Sequence, residues 1–417
     1  MCGIAGFSSF HTNYKEESAR WFSTLQTMNT CQHHRGPDEN GLYLSRNCGL
    51  SHTRLSILDL ACGKQPMARQ LGNQRAVIAY NGEIYNMPAL RRELEQEGIV
   101  FETTCDTEVI LMGYLLHGTS YVTRLNGIFA FAIFDETRQR LYLFRDRLGV
   151  KPLFYTHFCN TLIFSSELKG ILCYPEFKAQ ADRDGLCEIF GLGPAKTYGK
   201  GVFKNIDELL PGHYLEYYGS DYATTCYWKL ESHPHEEDWQ QTVEKTRYLV
   251  TDAIKMQMLS DVPVCTFLSG GVDSSLVTAV CSSELRKQGK KLDTYSFDFK
   301  DNDKNFKANA FQPSQDRPWV DQMIAYCHTN HQYLECANAD LYDYLFEAVD
   351  ARDLPCMADV EASMLYFCKR VAANHKVTLT GECADEIFGG YPWFHKKECF
   401  DADTFPWSMD FSPRTML

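Results

Sequence analysis

Two places in this sequence bring together residue types that could do chemistry. The first is the N-terminus, Met1-Cys2-Gly3-Ile4-Ala5-Gly6-Phe7. If Met1 is removed, Cys2 carries a thiol and a free α-amine on one residue, a nucleophile with its own general base. An α-amine titrates at about 7.7–8.0 in peptides, so a good part of it is basic near neutral pH. The second is Phe267-Leu268-Ser269-Gly270-Gly271-Val272-Asp273-Ser274-Ser275. Two glycines let backbone close on an anion, while Ser269, Ser274, Ser275 and the amides of a helix start supply donors. Asp273 adds a carboxylate able to reach a magnesium ion that bridges phosphates. The segment is not a Walker A loop, because it lacks the Gly-Lys-Ser/Thr ending.

Other residues could complete each set. A ligand with α-carboxylate, α-ammonium and carboxamide needs a cation, an anion and an oxyanion hole. Arg54 offers a guanidinium fork for a carboxylate. Asn81 and the Gly82 N–H, after an apolar run, could bind a tetrahedral oxyanion. Asp106 opens a helix, where it could cap the helix and meet an ammonium. Taken singly, each has a plainer reading: a surface charge, an Asn-Gly turn and an N-cap. In the second set, Glu382, Asp385 and Glu386 lie within five residues, in Leu379-Thr380-Gly381-Glu382-Cys383-Ala384-Asp385-Glu386. Metal or acid/base roles suit them, and so does a solvated acidic helix start.

The elements around these sets change in kind part-way along the chain. Short apolar or alternating runs at 76–80, 127–135, 140–145, 153–156 and 161–165, interrupted by two helical stretches near 88–96 and 107–116, predict stacked, mainly antiparallel sheets. A loop-like region at 211–238 holds the expected linker, giving domains over 2–215 and 239–417 with the linker at 216–238. Beyond it, helices at 239–259, from 272, and near 318–327, 341–351 and 362–373 alternate with strands at 262–268, 294–299 and 376–380. That grammar predicts an open parallel α/β sheet with ligands at the carboxyl ends of its strands.

Bulk properties limit the rest. At 417 residues the chain exceeds one ordinary core. A formal charge of −13 argues against nucleic acid as the main partner. No apolar run approaches the ~18–20 residues of a membrane span, and no signal peptide opens the chain. The 17 cysteines lack CxxC spacing and are odd in number, which points to free thiols in a reducing, cytoplasmic setting.

Assembled in order, the segments resemble one family. Met-Cys-Gly-Ile-Ala-Gly, His34-Arg35-Gly36-Pro37-Asp38, Arg54-Leu55-Ser56, Tyr80-Asn81-Gly82-Glu83-Ile84-Tyr85-Asn86, Asp106 and Arg145-Asp146-Arg147-Leu148-Gly149-Val150-Lys151-Pro152-Leu153 resemble a class II glutamine amidotransferase domain. The Ser-Gly-Gly-x-Asp-Ser loop is similar to that of ATP pyrophosphatases. The 380–386 segment resembles the Ser-Gly-Glu-Gly-Ser-Asp-Glu motif of glutamine-hydrolysing asparagine synthetases, with Thr380, Cys383 and Ala384 as departures.

The resemblance implies an N-terminal-nucleophile hydrolase-type α+β sandwich followed by an α/β ATP-pyrophosphatase domain. It implies that Cys2 attacks glutamine, with Asn81 and Gly82 as oxyanion hole and with Arg54, Glu83 and Asp106 holding the substrate. It puts Leu268, Phe299 and Gly381, with Thr380 beside them, at an adenosine pocket, Glu382 near the adenylate, and Asp385 with Asp273 on Mg²⁺. The implied substrates are glutamine, aspartate and ATP, the implied reaction is asparagine formation, and a homodimer is open to such a chain. A related carboxylate activator and a non-catalytic glutamine or nucleotide sensor are the alternatives. Only 26 residues, among them Lys396, Lys397 and Arg414, follow Tyr391, where the family pattern continues through a further helical region.

Overall fold

Strand-length apolar runs broken by turn residues build the first half of the chain, and the computed structural model pairs them into two sheets. It describes residues 1–192, 196–308 and 314–403; Arg414 lies outside them. Two units separate: Met1–Glu236 with Asp350–Cys356, and Glu237–Val349 with the chain from Met357 onward.

The first unit contains β1 (Gly3–Ser8), β2 (Glu39–Leu44), β3 (Cys48–Arg54), β4 (Met67–Leu71), β5 (Gln74–Ile84), β6 (Gly127–Asp135), β7 (Arg140–Arg145), β8 (Phe154–Phe158), β9 (Thr161–Ser165), β10 (Asp207–Glu208), β11 (His213–Tyr218) and β12 (Asp221–Cys226). Its helices are α1 (Ser18–Thr30), α2 (Met87–Gln96), α3 (Asp106–His117), α4 (Leu168–Leu172) and α5 (Arg183–Cys187). One sheet runs β10-β8-β9-β1-β3-β2 and the other β12-β11-β7-β6-β5-β4, antiparallel at every pairing. Inner-face residues of both sheets, such as Ile4, Leu50, Val77, Phe134 and Phe164, form one core. Burying each such side chain stabilises by about 1.5–3 kcal/mol relative to exposure. Helix α1 and α4 close a second core on the outer face of the first sheet, through Leu25, Met28, Leu168 and Ile171.

This is the antiparallel sandwich with flanking helices that the sequence predicts, with two differences. Residues 216–226, assigned to a linker, are strand: β11 and β12 extend the second sheet around the Gly219-Ser220 turn. The alternation was masked by the neighbouring turn residues. Helices α1, α4 and α5 add to the two expected helices, and the longest of the three is α1. It buries Trp21, Thr24, Leu25, Met28 and Asn29, a helical stripe whose polar members blur its period.

The second unit contains α6 (Trp239–Gln257), β13 (Val264–Phe267), α7 (Val272–Lys287), β14 (Asp293–Phe299), α8 (Asn302–Asn305), α9 (Arg317–Cys327), β15 (Asn330–Cys336), α10 (Asn338–Arg352), α11 (Ala358–Ala372), β16 (Val377–Leu379), α12 (Ala384–Phe388) and α13 (Lys397–Phe400). Residues 350–352 of α10 belong to the first unit. The sheet is parallel, in the order β15-β14-β13-β16. β15, Asn-His-Gln-Tyr-Leu-Glu-Cys, is a polar edge strand with no apolar run to announce it.

Candidate active sites

β1 lies between β9 and β3, and its register with β3 sets Gly3 against Thr53. Cys2, one residue earlier, therefore falls beside the end of β3. Its Sγ accepts the Leu55 N–H at 3.4 Å and lies 3.7 Å from the Leu55 carbonyl oxygen. Burial pushes the Cys2 thiol up; the Leu55 contact and the nearby terminal ammonium act the other way. The amine of Met1 is pushed down to about 6, by burial first, with Cys2 opposing and Arg35 and Lys151 adding to the fall. Lys151 Nζ lies 2.7 Å from Met1 Sδ, and burial lowers its own pKa to about 8.

A cleft gathers Cys2, Arg54, Gly82, Glu83 and Asp106, five of the six residues expected around glutamine, from four separate elements. Gln65 and Tyr80, which the sequence reading did not single out, share its wall. Asn81, the sixth, is buried, and both its amide nitrogen and oxygen lack a hydrogen-bond partner among the described residues. An unpaired amide at such a place is costly unless something else meets it.

Two residues differ in detail from expectation. Arg54 is not an idle fork: Nη1 pairs with Glu39 at 2.7 Å, and Nη2 donates to the carbonyls of Asp59 and Leu58 at 2.6 and 3.1 Å. Asp106 does not cap α3, since Cys105 is the N-cap. Its carboxylate instead accepts the Tyr80 hydroxyl at 2.7 Å and the Ile84 N–H at 3.2 Å. Burial, and then the Asp106 charge, push the Glu83 carboxyl well above its usual range. Burial also raises Asp106, against its hydrogen bonds. Two carboxyls raised in one cleft make a place where a ligand ammonium is favoured.

A buried ion-pair chain backs the cleft. Arg35 Nε donates to the Cys2 carbonyl, and Nη1 pairs with Glu167 at 2.8 Å. Glu167 also meets Lys169 at 3.3 Å, and Lys169 meets Asp353 at 3.1 Å. Glu167, Lys169 and Asp353 carry no motif signal of their own.

In the second unit the expected ligand residues collect at the carboxyl ends of β13, β14 and β16. After β13, Leu268 is buried, its N–H bonded to Tyr295 O at 2.9 Å. Gly270 takes φ +82°, turning the chain so that Ser269 Oγ sits 3.0 Å from Ser274 Oγ. Asp273 and Ser275 start α7. Phe299 ends β14, 43% exposed, with its ring edge-on to Phe367. After β16, Thr380 and Gly381 cross the Asp273–Ser274 turn so closely that a Cβ on Gly381 would stand 2.7 Å from Ser274 N and 2.8 Å from Asp273 Cβ. Cys383 holds φ +69° and leads into α12 with Asp385. Burial and the Asp385 carboxylate raise Asp273, which puts the two carboxylates within electrostatic reach of each other. Two carboxylates are a donor set that a divalent cation could use together with oxygen ligands from elsewhere; among the described residues no third His, Cys, Asp or Glu joins them.

Comparison with known proteins bears on both halves. The family model for the glutamine amidotransferase domain matches residues 1–228, and that for asparagine synthase matches 245–416. The chain is 45% identical over 418 aligned positions to asparagine synthetase [glutamine-hydrolyzing] 3 of Bacillus subtilis, covering all of this chain and 67% of that protein. The chain belongs to the glutamine-hydrolysing asparagine synthetase family. A second synthetase of B. subtilis is 31% identical over 94% of this chain and 52% of its own length. Amidase chyE of Penicillium rubens is 32% identical over 94% of this chain and 60% of its own. The chain thus spans between about half and two thirds of these family members. Among its described residues, no helix is long and apolar enough to cross a membrane.

Proposed function

We propose that this chain hydrolyses glutamine at Cys2 and delivers the ammonia to aspartate activated as aspartyl-AMP, giving asparagine, glutamate, AMP and pyrophosphate. The observation that carries the reading is the cleft in which Cys2, Arg54, Gly82, Glu83 and Asp106 meet.

With Met1 removed, the α-amine of Cys2 serves as base for the thiol of the same residue. The thiol attacks the carboxamide carbon, and the Asn81 amide and Gly82 N–H stabilise the oxyanion. Collapse expels ammonia and leaves a thioester, which water cleaves to glutamate. Glu83 and Asp106 receive the substrate ammonium, and Arg54 the carboxylate once its pairing with Glu39 is shared.

In the second unit, Ser269–Ser275 amides and hydroxyls grip the pyrophosphate of ATP, with Leu268, Phe299, Thr380 and Gly381 around the adenosine. Asp273 and Asp385 would hold Mg²⁺, which neutralises phosphate charge when bound. Glu382, on the same turn, manages protons as ammonia displaces AMP.

The test is mass spectrometry of the products from glutamine, ATP-Mg²⁺ and aspartate. Asparagine with equivalent AMP and pyrophosphate is the expected result. Asp273→Asn or Asp385→Asn should abolish pyrophosphate release and spare glutamate release, whereas Cys2→Ala or retained Met1 should abolish glutamate release. The second reading is an enzyme of the same scaffold that activates a different acceptor carboxylate. Glutamate released with no asparagine, and pyrophosphate appearing only with a different carboxylic acid, would establish it.

A further inference from the structure

A second cavity, of about 400 Å³, adjoins the glutamine cleft at the β2 edge of the first sheet. Glu39, Gly41, His52, Arg54, Lys64 and Gln65 line it, and of these Arg54 and Gln65 also line the cleft. In the β2–β3 register Glu39 stands opposite Arg54 and Gly41 opposite His52, so the four share one face. Gly41 lets the far wall approach, since a Cβ there would collide with the Gln65 carbonyl oxygen. One water takes about 30 Å³ of the liquid, so the space admits a small organic molecule.

Three polar groups of this lining lack a partner among the described residues. Glu39 Oε2 pairs with Arg54 Nη1 at 2.7 Å, which leaves Oε1 free. His52 Nε2 lies 2.9 Å from the Tyr80 carbonyl oxygen, an acceptor, so Nε2 carries the proton. Burial holds the His52 pKa down to about 4, with the Tyr80 carbonyl opposing and Arg54 adding to the fall. The ring is therefore neutral, and Nδ1 is a buried lone pair that nothing meets. Lys64 is exposed, and its ammonium pairs with no carboxylate. The Gln65 amide, by contrast, is spent on the Tyr80 N–H at 2.7 Å and the Thr107 hydroxyl at 3.1 Å. A free carboxylate oxygen and a bare lone pair favour an ammonium, while the free lysine favours a carboxylate. A zwitterion meets both ends.

We propose that this cavity binds a free α-amino acid, its ammonium on Glu39 with His52 in the wall behind and its carboxylate on Lys64, and that occupancy strengthens glutamine binding in the adjoining cleft. The second clause rests on the reading of Arg54 as the holder of the glutamine carboxylate. The coupling runs through the Arg54–Glu39 pair. An ammonium on Glu39 offsets its charge and loosens its hold on Arg54 Nη1, whose remaining contact is the Leu60 carbonyl at 3.5 Å. The guanidinium stays fixed through Nη2 on the carbonyls of Leu58 and Asp59, so Nη1 becomes available to glutamine without a change of place. Such coupling is reciprocal: glutamine tightens the amino acid by the same factor.

The probe is glycine, the smallest molecule with both ends, added to the full chain. The Michaelis constant for glutamine, read from glutamate release, should fall roughly two- to fivefold with turnover unchanged. Glu39→Gln should show no glycine effect, since its Arg54 is already released. Lys64→Ala should keep the basal constants and lose the response. Line broadening of ¹³C-labelled glycine, which needs no turnover, should appear with the wild-type chain and vanish with Lys64→Ala. L-Aspartate, L-asparagine and L-glutamate are run beside glycine, and a response from any of them that is lost in Lys64→Ala names the occupant. A rise in the Michaelis constant would put glycine in the glutamine cleft and overturn the proposal. Methylammonium acting as well as glycine would reduce the cavity to a cation site, and broadening unchanged in Lys64→Ala would locate the binding elsewhere; either result overturns it too. If the chain releases no glutamate, the reading of Cys2 and Arg54 fails by itself, and the ¹³C-glycine measurement still decides the cavity.

Discussion

Arg35 donates from Nε to the carbonyl oxygen of Cys2 at 2.9 Å. The backbone of Cys2, the proposed nucleophile, is thus held separately from its thiol, by a guanidinium whose other edge is fixed on Glu167. A lysine can supply the charge but not two donors in a fixed plane. Arg35→Lys should therefore lower glutaminase turnover by roughly ten- to a hundredfold while leaving the Michaelis constant nearly unchanged. Steady-state glutamate release checks it, and a change confined to the Michaelis constant would contradict it.

Glu167 carries a pH signature. Burial alone would raise its carboxyl, but His34 and Arg35 outweigh that and hold it down from 4.5 to about 2. A depressed carboxylate stabilises the fold above its unfolded pKa, and that stabilisation is lost as pH falls through the folded value. The difference corresponds to about 3 kcal/mol. Glu167→Gln should lower the thermal midpoint at pH 7, and the gap from wild type should close between pH 4.5 and 2. A gap of constant size across that window would rule out the ion pair as its source.

On the proposed function, the Arg54–Glu39 pair, at 2.7 Å, competes with the substrate carboxylate. Glu39→Gln should lower the Michaelis constant for glutamine, by roughly three- to tenfold for a partner of about 1 kcal/mol. Arg54→Lys should raise it. Asn81→Ala should instead lower turnover by about 10²-fold if the amide meets the oxyanion. Kinetics of the three variants side by side separate the roles, and an unchanged Michaelis constant in Glu39→Gln would end the competition argument.

The turn after β16 makes two opposite demands on small residues. Gly381 touches the Asp273–Ser274 backbone, so Gly381→Ala should push the two turns apart and abolish pyrophosphate release while sparing glutamate release. Cys383, exposed and left-handed at φ +69°, occupies the place where the related motif has glycine. Cys383→Gly should relieve about 1 kcal/mol of strain and raise the melting temperature of the second unit by a few degrees. Calorimetry decides the second point, and a lowered melting temperature would show that the thiol contributes packing instead.

The legible part of the site was local. Cys2, Asn81-Gly82, Ser269–Ser275 and Glu382–Asp385 each sit in a run of neighbours that a few residues define, at the end of a strand or the start of a helix. What sequence could not supply was assembled by strand pairing. Arg35 and Glu167 are 132 positions apart and meet because β1 pairs with both β3 and β9. Glu39 reaches Arg54 only through the β2–β3 register. Each is a charged residue that reads as surface until its partner is known. The same holds for β15, whose polar sequence makes sense only at a sheet edge, and for β12, exposed throughout.

Asp350–Cys356 belongs to the first unit, although the chain on either side belongs to the second. The two units are therefore not separable at a single peptide bond. A cut after Glu236 leaves Lys169 without Asp353, and recombination between relatives at that junction pairs one parent's Glu167 and Lys169 with the other's Asp353. Inheritance of the glutaminase half is tied to a few codons deep inside the synthetase half, so the two must drift together.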